Sequence, residues 1–223
     1  MPESSVDRTA SLRTIMDDLA VSFGVHKVAL QRRSQDKLAR VLDVARDLLE
    51  AGGPGAVTTT NVAAAAGISV GWLYHYFESR EALLEEILVG CLRGLDNAMA
   101  DAGMSLAGRK WKPNAEAGIK ACLDYFGSDA SFRAIWFSGE FSGRMLQVNR
   151  MHDDALAAWL AGTVTHTRAH APEVSLHTVM SVFVGMLDKG VDLAFRDSMD
   201  HADAEVLAEI QRATVQYLAT YLP

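Results

Sequence analysis

Cysteine is almost missing from this 223-residue chain: only Cys91 and Cys122 occur, both in apolar helical surroundings. Two cysteines so placed make a disulfide framework or a metal site an unfavoured expectation, and they suit a reducing cytoplasm. Long apolar runs are missing too. The most apolar later stretch, Val179 to Leu187, falls well short of the ~20 residues that a spanning helix needs. No basic segment followed by an apolar run opens the chain, so a soluble protein with no membrane partner is expected. Alternation at the strand period is nearly absent, whereas helical periodicity recurs throughout. The expected fold is all-α, with length enough for a small domain and a larger one.

Acidic residues are absent where they would matter most. From Ala51 through Phe77 there is no Asp or Glu, although the whole chain has 28 acids against 21 bases and a net charge of −7. Between His26 and Arg80 the balance reverses, with Lys27, Arg32, Arg33, Lys37, Arg40, Arg46 and Arg80 facing Asp36, Asp43, Asp47, Glu50 and Glu78. Nothing acidic in the Ala51–Phe77 stretch would repel a phosphate backbone, and an acidic remainder suits a domain that does not cling to DNA indiscriminately.

What occupies this stretch is VTTTNVAAAAGISVGWLYHYFESREALL, residues 57 to 84. Thr58 suits the N-cap of a two-turn helix through Ala66, and Gly67 supplies the permissive backbone that ends it. Ser69 suits the cap of a second helix, in which Leu73 and Phe77 fall at i and i+4 and share the buried side. Helix, glycine-containing turn, helix is the pattern that enters a major groove. The face expected to meet DNA comprises Thr58, Thr59, Thr60, Ser69, Val70, Gly71, Trp72, Tyr74, His75, Tyr76 and Arg80. Of these, Thr58, Ser69, Tyr74 and Arg80 are expected to position the protein on phosphates. Trp72 either covers a thymine methyl and sugar or folds back on the first helix.

Thr58-Thr59, Val62-Ala63, Ala66-Gly67-Ile68-Ser69, Gly71, Leu73-Tyr74-His75-Tyr76-Phe77 and Glu81-Ala82-Leu83 together resemble the signature of the tetracycline-repressor (TetR) family. The resemblance covers about residues 32 to 88. Arg80 stands where the family usually has Lys, and Trp72 where a small residue is common. The resemblance implies a regulator of transcription, a repressor more readily than an activator. It also implies a homodimer on double-stranded DNA and a cavity whose small-molecule occupant alters the spacing of the two reading heads.

Three segments are expected: 1–31, an N-terminal extension; 32–80, the helix-turn-helix DNA-binding domain; 81–223, a larger helical ligand-binding and dimerisation domain. Leu12, Ile15, Met16 and Leu19 suggest an extra amphipathic helix over 9–23. Leu38, Leu42, Ala45 and Leu49 mark the next helix, which stops at Gly52-Gly53-Pro54-Gly55. Ser79 is placed to cap a long lever helix, residues 103–113 read as a linker, and Asn114, Ser128 and Asp200 are expected caps further on. The pattern around Gly139 and Gly143 is ambiguous.

Aromatic and sulfur-containing residues crowd the middle of the larger domain. Most build core; Tyr125, Phe132, Trp136, Phe137, Phe141 and Met145 are the ones expected to line a cavity for an apolar or aromatic compound. Two long terminal helices carry wider apolar faces than their own packing requires. Val179, Phe183, Met186, Gly190, Leu207, Ile210 and Tyr217 are accordingly expected at a two-fold interface. Catalysis is not expected: neither His166 and His170 nor His152 beside Asp153-Asp154 has a third ligand or orienting group close in sequence, so no metal and no cofactor are assigned. The alternative from another class is a helical small-molecule carrier without DNA binding.

Overall fold

The computed structural model describes residues 12–15, 32–164 and 174–222, with side chains from residue 36 onward in the first helix. Among these residues there are nine α-helices and no strand. They are α1 Arg32–Gly52, α2 Thr59–Ala66, α3 Val70–Tyr76, α4 Arg80–Asp101, α5 Trp111–Ser128, α6 Ala130–Trp136, α7 Gly143–Thr163, α8 Leu176–Ala194 and α9 Ala204–Ala219. His166, His170 and most of the expected 9–23 helix lie outside the described residues. Of the latter, Leu12–Thr14 is one 3₁₀ turn, with Leu12 and Ile15 buried and Arg13 bonded to Asn97 and Asp101 on α4.

Helices α1 to α3 form the small N-terminal unit. Val41, Ala45 and Leu49 recur every four residues on one face of α1 and are buried with Val62 and Ala66 of α2 and Leu73 of α3. Leu38 and Leu42, expected on that face, flank it half-buried. Helix α4 runs about 33 Å at 1.5 Å per residue and packs on α1, α5, α6 and α7, so one rigid element belongs to both the small unit and the larger bundle. Within the bundle α8 lies between α7 and α9.

Several expected boundaries move, each for a local reason. Asp129, not Ser128, caps α6, accepting from Phe132 N at 2.9 Å. Asp203, not Asp200, caps α9, accepting from Glu205 N and Val206 N. Helix α5 begins at Trp111 without a side-chain cap, ahead of Asn114. The expected linker is packed rather than free, since Met104, Leu106 and Trp111 are buried.

Some of the residues expected at the interface are covered within the single chain. Val179, Phe183 and Gly190 face the interior of the single chain, and Ile210 packs directly on Gly190. Their apolar face is what holds α8 in the bundle. Met186, Leu207 and Tyr217 remain half-buried at the surface. The outward apolar residues of α8 are others, Val182 at 45% and Leu193 at 37% exposure.

Candidate nucleic-acid interface and effector cavity

Local capping shapes the small unit's exposed face. Thr58 Oγ1 accepts from Asn61 N at 3.1 Å, and Ser69 Oγ accepts from Trp72 N at 3.1 Å, so each short helix has a satisfied first turn. Gly67 closes α2 in the left-handed region at φ 67, where a Cβ would be strained. The turn therefore sets α3 against α2 with Leu73 and Phe77 inward.

Thr60, Ser69, Gly71, Tyr74 and His75 are exposed, while Thr58, Thr59, Val70, Trp72 and Tyr76 are half-buried. Tyr74, at 52% exposure, brings its hydroxyl within 3.3 Å of Thr59 Oγ1, tying the outer edges of α2 and α3. Trp72 does fold inward: its ring lies 4.5 Å from that of Tyr76, and Lys37 Nζ of α1 sits 4.5 Å above the indole. A cation over an indole face is an attractive contact that also shields the ring from water. Lys37 was not among the expected site residues. The clue was the unfavourable exposure of Trp72, which calls for cover from a neighbouring helix.

Arg80 has a different set of partners from the expected phosphate. Its Nε donates to Val57 O at 3.1 Å and its Nη2 to Pro54 O at 2.7 Å and to Glu140 Oε2 at 2.7 Å. The guanidinium thus holds the loop before α2 and pairs with a carboxylate of the α6–α7 connection. Two further bonds cross the same joint. Arg46 of α1 donates to Asp129 Oδ2 at 3.0 Å, and Ser131 Oγ donates to Glu50 Oε1 at 2.6 Å. All three ties reach the 129–140 segment, which includes α6.

That segment is also one wall of a cavity in the larger bundle. Phe126, Phe132, Trp136, Leu156, Val184 and Leu187 supply much of its apolar lining. Of the residues expected there, Phe132 and Trp136 line it, whereas Tyr125, Phe137, Phe141 and Met145 do not. Tyr125 turns away to donate to Asp129 Oδ2 at 2.9 Å, and Met145 is packed in the core. At about 40 Å³ the cavity has room for about three waters. A larger occupant requires the walls to part.

Polar groups enter this apolar lining from three helices: Asn149, His152 and Asp153 on α7, Asp188 on α8, and, behind His152, Asp96 on α4. Asp96 and His152 are 0% and 1% exposed, with His152 Nε2 2.9 Å from Asp96 Oδ1. Burial disfavours the imidazolium, but Asp153 and Asp96 outweigh it and push His152 up to about 9. Burial and the neighbouring Asp153 push Asp188 up to about 8. No group of three such side chains is arranged to hold a metal ion among the described residues.

Residues 41–87 match the family described as bacterial regulatory proteins, tetR family, and residues 98–222 match the tetracyclin repressor-like C-terminal domain. Over 55 residues the chain is 46% identical to the HTH-type transcriptional repressor KstR2 of Rhodococcus jostii (strain RHA1), which is 25% of this chain and 27% of that relative. The crystal structure of a TetR-family transcriptional regulator from Streptomyces coelicolor superposes with a TM-score of 0.63 at 22% identity, over 83% of this chain and 99% of that one. A TetR-like transcriptional regulator from Rhodococcus sp. RHA1 does so with a TM-score of 0.58 at 16% identity, over 82% and 95%. At these identities the two structures establish likeness of fold.

Proposed function

The chain belongs to the tetracycline-repressor family of bacterial regulatory proteins, and on that premise we propose that it is a dimeric repressor released from a palindromic operator by a small molecule. The observation that carries this is the acid-free face of α2 and α3, where Thr60, Gly71, Tyr74 and His75 are exposed and Thr59 and Val70 half-buried around capped helix starts. Val70 to His75 enter the major groove. Thr58, Ser69 and Tyr76 flank that contact, and Lys37 adds a phosphate-seeking charge from α1. A head this short gains affinity by being used twice, at half-sites one or more helical turns apart.

The dimer is formed through the outer faces of α8 and α9, where Val182, Met186 and Leu193 of α8 and Leu207 and Tyr217 of α9 leave apolar surface that the single chain does not fully cover. The effector occupies the cavity lined by Phe132 and Trp136. Its differential affinity for two bundle conformations shifts the population of heads set at operator spacing. The joint of Arg46–Asp129, Ser131–Glu50 and Arg80–Glu140 carries the displacement of α6 to the small unit.

Selection of bound duplexes from a random pool by the purified protein tests the reading. A palindromic consensus is expected; a folded, dimeric protein that enriches no sequence counts against DNA recognition and in favour of a small-molecule carrier. Salt dependence then separates two cations. Lys37→Ala is expected to reduce the slope of log affinity against log salt by about 1, the signature of one lost phosphate contact. Arg80→Ala is expected to leave that slope unchanged while weakening binding, because Glu140 already neutralises the guanidinium. A reduced slope in Arg80→Ala would show that Arg80 leaves Glu140 for phosphate.

A further inference from the structure

The cavity is apolar in most of its wall, yet it contains an uncompensated charge pattern. Three carboxylates, Asp96, Asp153 and Asp188, stand around one imidazole, His152, on three different helices. His152 Nε2 is taken by Asp96, while Nδ1 lies 3.7 Å from Asp153 Oδ1 and has no hydrogen-bond partner among the described residues. The same holds for Asp96 Oδ2. Buried polar atoms normally find partners, so these two leave the cluster's own pairing incomplete, and the two carboxylates that reach the cavity wall itself are Asp153 and Asp188. Asn149 Nδ2 donates to Asp153 Oδ2 at 3.1 Å and helps to fix that carboxylate.

We propose that this cavity takes an organic cation, a small amine with an apolar or aromatic body, whose ammonium group sits at Asp153 and Asp188 while the body lies against Phe126, Phe132 and Trp136. This rests on the cavity being the effector site. A carboxylate-bearing ligand would meet Asp153 as a like charge, and a neutral one would leave the Asp188 proton in place and make no charge-assisted hydrogen bond to either carboxylate. A bare metal ion finds no suitable ligand set among the described residues. Aromatic faces around the body add attraction for a cation.

The surrounding charges define the proton balance. Facing the cluster are Asp96 with Arg93 on α4, the Cys122 thiol on α5, Asp153 on its own helix, and Asp188 and Asp192 on α8. Asp192 is already engaged, accepting from Trp136 Nε1 at 2.8 Å and paired with Lys189 at 3.1 Å. Cys122 is pushed up to about 12, first by burial, and stays a neutral thiol. At neutral pH His152 is charged and Asp188 carries a proton, so that proton is what an incoming ammonium displaces. Binding therefore releases a proton below about pH 8, and affinity rises with pH until Asp188 ionises unaided.

Calorimetric titration of the full chain with benzylamine, benzyl alcohol and benzoate tests this, since the three share one body and differ in head group. Benzylamine is expected to bind at least about ten-fold more tightly than benzyl alcohol, a difference of about 1.4 kcal/mol, with benzoate weakest. Its affinity is expected to rise by up to about ten-fold per unit between pH 6 and 7.5, with proton release visible in buffers of different ionisation enthalpy. Asp188→Asn, checked by circular dichroism, is expected to remove the preference for the amine while benzyl alcohol still binds. If the alcohol or benzoate binds best, or if amine binding is independent of pH in the unaltered protein, the cation assignment is overturned and the effector cavity stands. If none of the three binds, both fall, whatever the outcome of the duplex selection.

Discussion

Leu73→Ala is expected to abolish operator binding while leaving the larger bundle folded. Leu73 is completely buried where α3 meets α1 and α2, in a unit whose core rests on a few side chains such as Val41, Leu49 and Val62. Truncating a buried leucine costs about 2–5 kcal/mol, from lost transfer energy and from the void left behind. Against a total stability of about 5–15 kcal/mol for a whole domain, the head has little reserve. The measurement is DNA affinity together with amide exchange: α2 and α3 should lose protection and α7 to α9 should keep theirs. Leu73→Met, which conserves volume, is expected to cost less than about 1.5 kcal/mol and retain binding. If Leu73→Ala binds DNA normally, Leu73 does not fix α3.

Gly190→Ala is expected to produce the larger loss in the bundle, from an atom added rather than removed. A Cβ at Gly190 would lie 2.6, 2.7 and 2.9 Å from Cδ1, Cγ2 and Cγ1 of Ile210. Moving the Cδ1 tip alone does not relieve this, because two of the three contacts lie nearer the backbone. Helices α8 and α9 must separate, and overpacking of this kind costs about 1–3 kcal/mol. Urea denaturation reads that cost as a lowered midpoint. Adding Ile210→Ala should recover much of it, making the double variant more stable than Gly190→Ala alone, a non-additivity that direct contact predicts. A double variant less stable than either single one would place the strain elsewhere.

These cases also show what local sequence can and cannot specify. The caps at Thr58, Ser69 and Ser79 were legible because the acceptor and its amide are three residues apart. Asp129 and Asp203 were missed because an equally plausible acceptor stood nearby, and the choice depends on where the preceding helix stops. Helix α8 has apolar residues on more than one side. Periodicity finds its faces without saying which one its own chain covers, so it does not separate Val179 and Phe183, which the chain buries, from Val182, which it leaves exposed. The same limit applies to the cavity, which Phe132 and Trp136 line as expected: Tyr125 shares a helix with Phe126, but of the two only Phe126 lines the cavity.

The polar features demanded still more distant information. His152 and Asp153 were visible as neighbours, but Asp96 lies 56 positions away from His152, and no spacing rule links them. Arg80 was legible as a basic residue at a helix start, where phosphate is the usual expectation. Its partner Glu140 is 60 positions further on, in a stretch whose pattern was ambiguous.

The joint between the two units restricts how this protein could be recombined with its relatives. Cutting the chain at Arg80 would carry Arg46, Glu50 and Arg80 away with the head and leave Asp129, Ser131 and Glu140 behind. A chimera cut there would strand a partly buried guanidinium opposite whatever the recipient offers. The transferable module is therefore discontinuous, residues 32–80 together with 129–140, and a transplanted head should obey its new host only when that second patch travels with it.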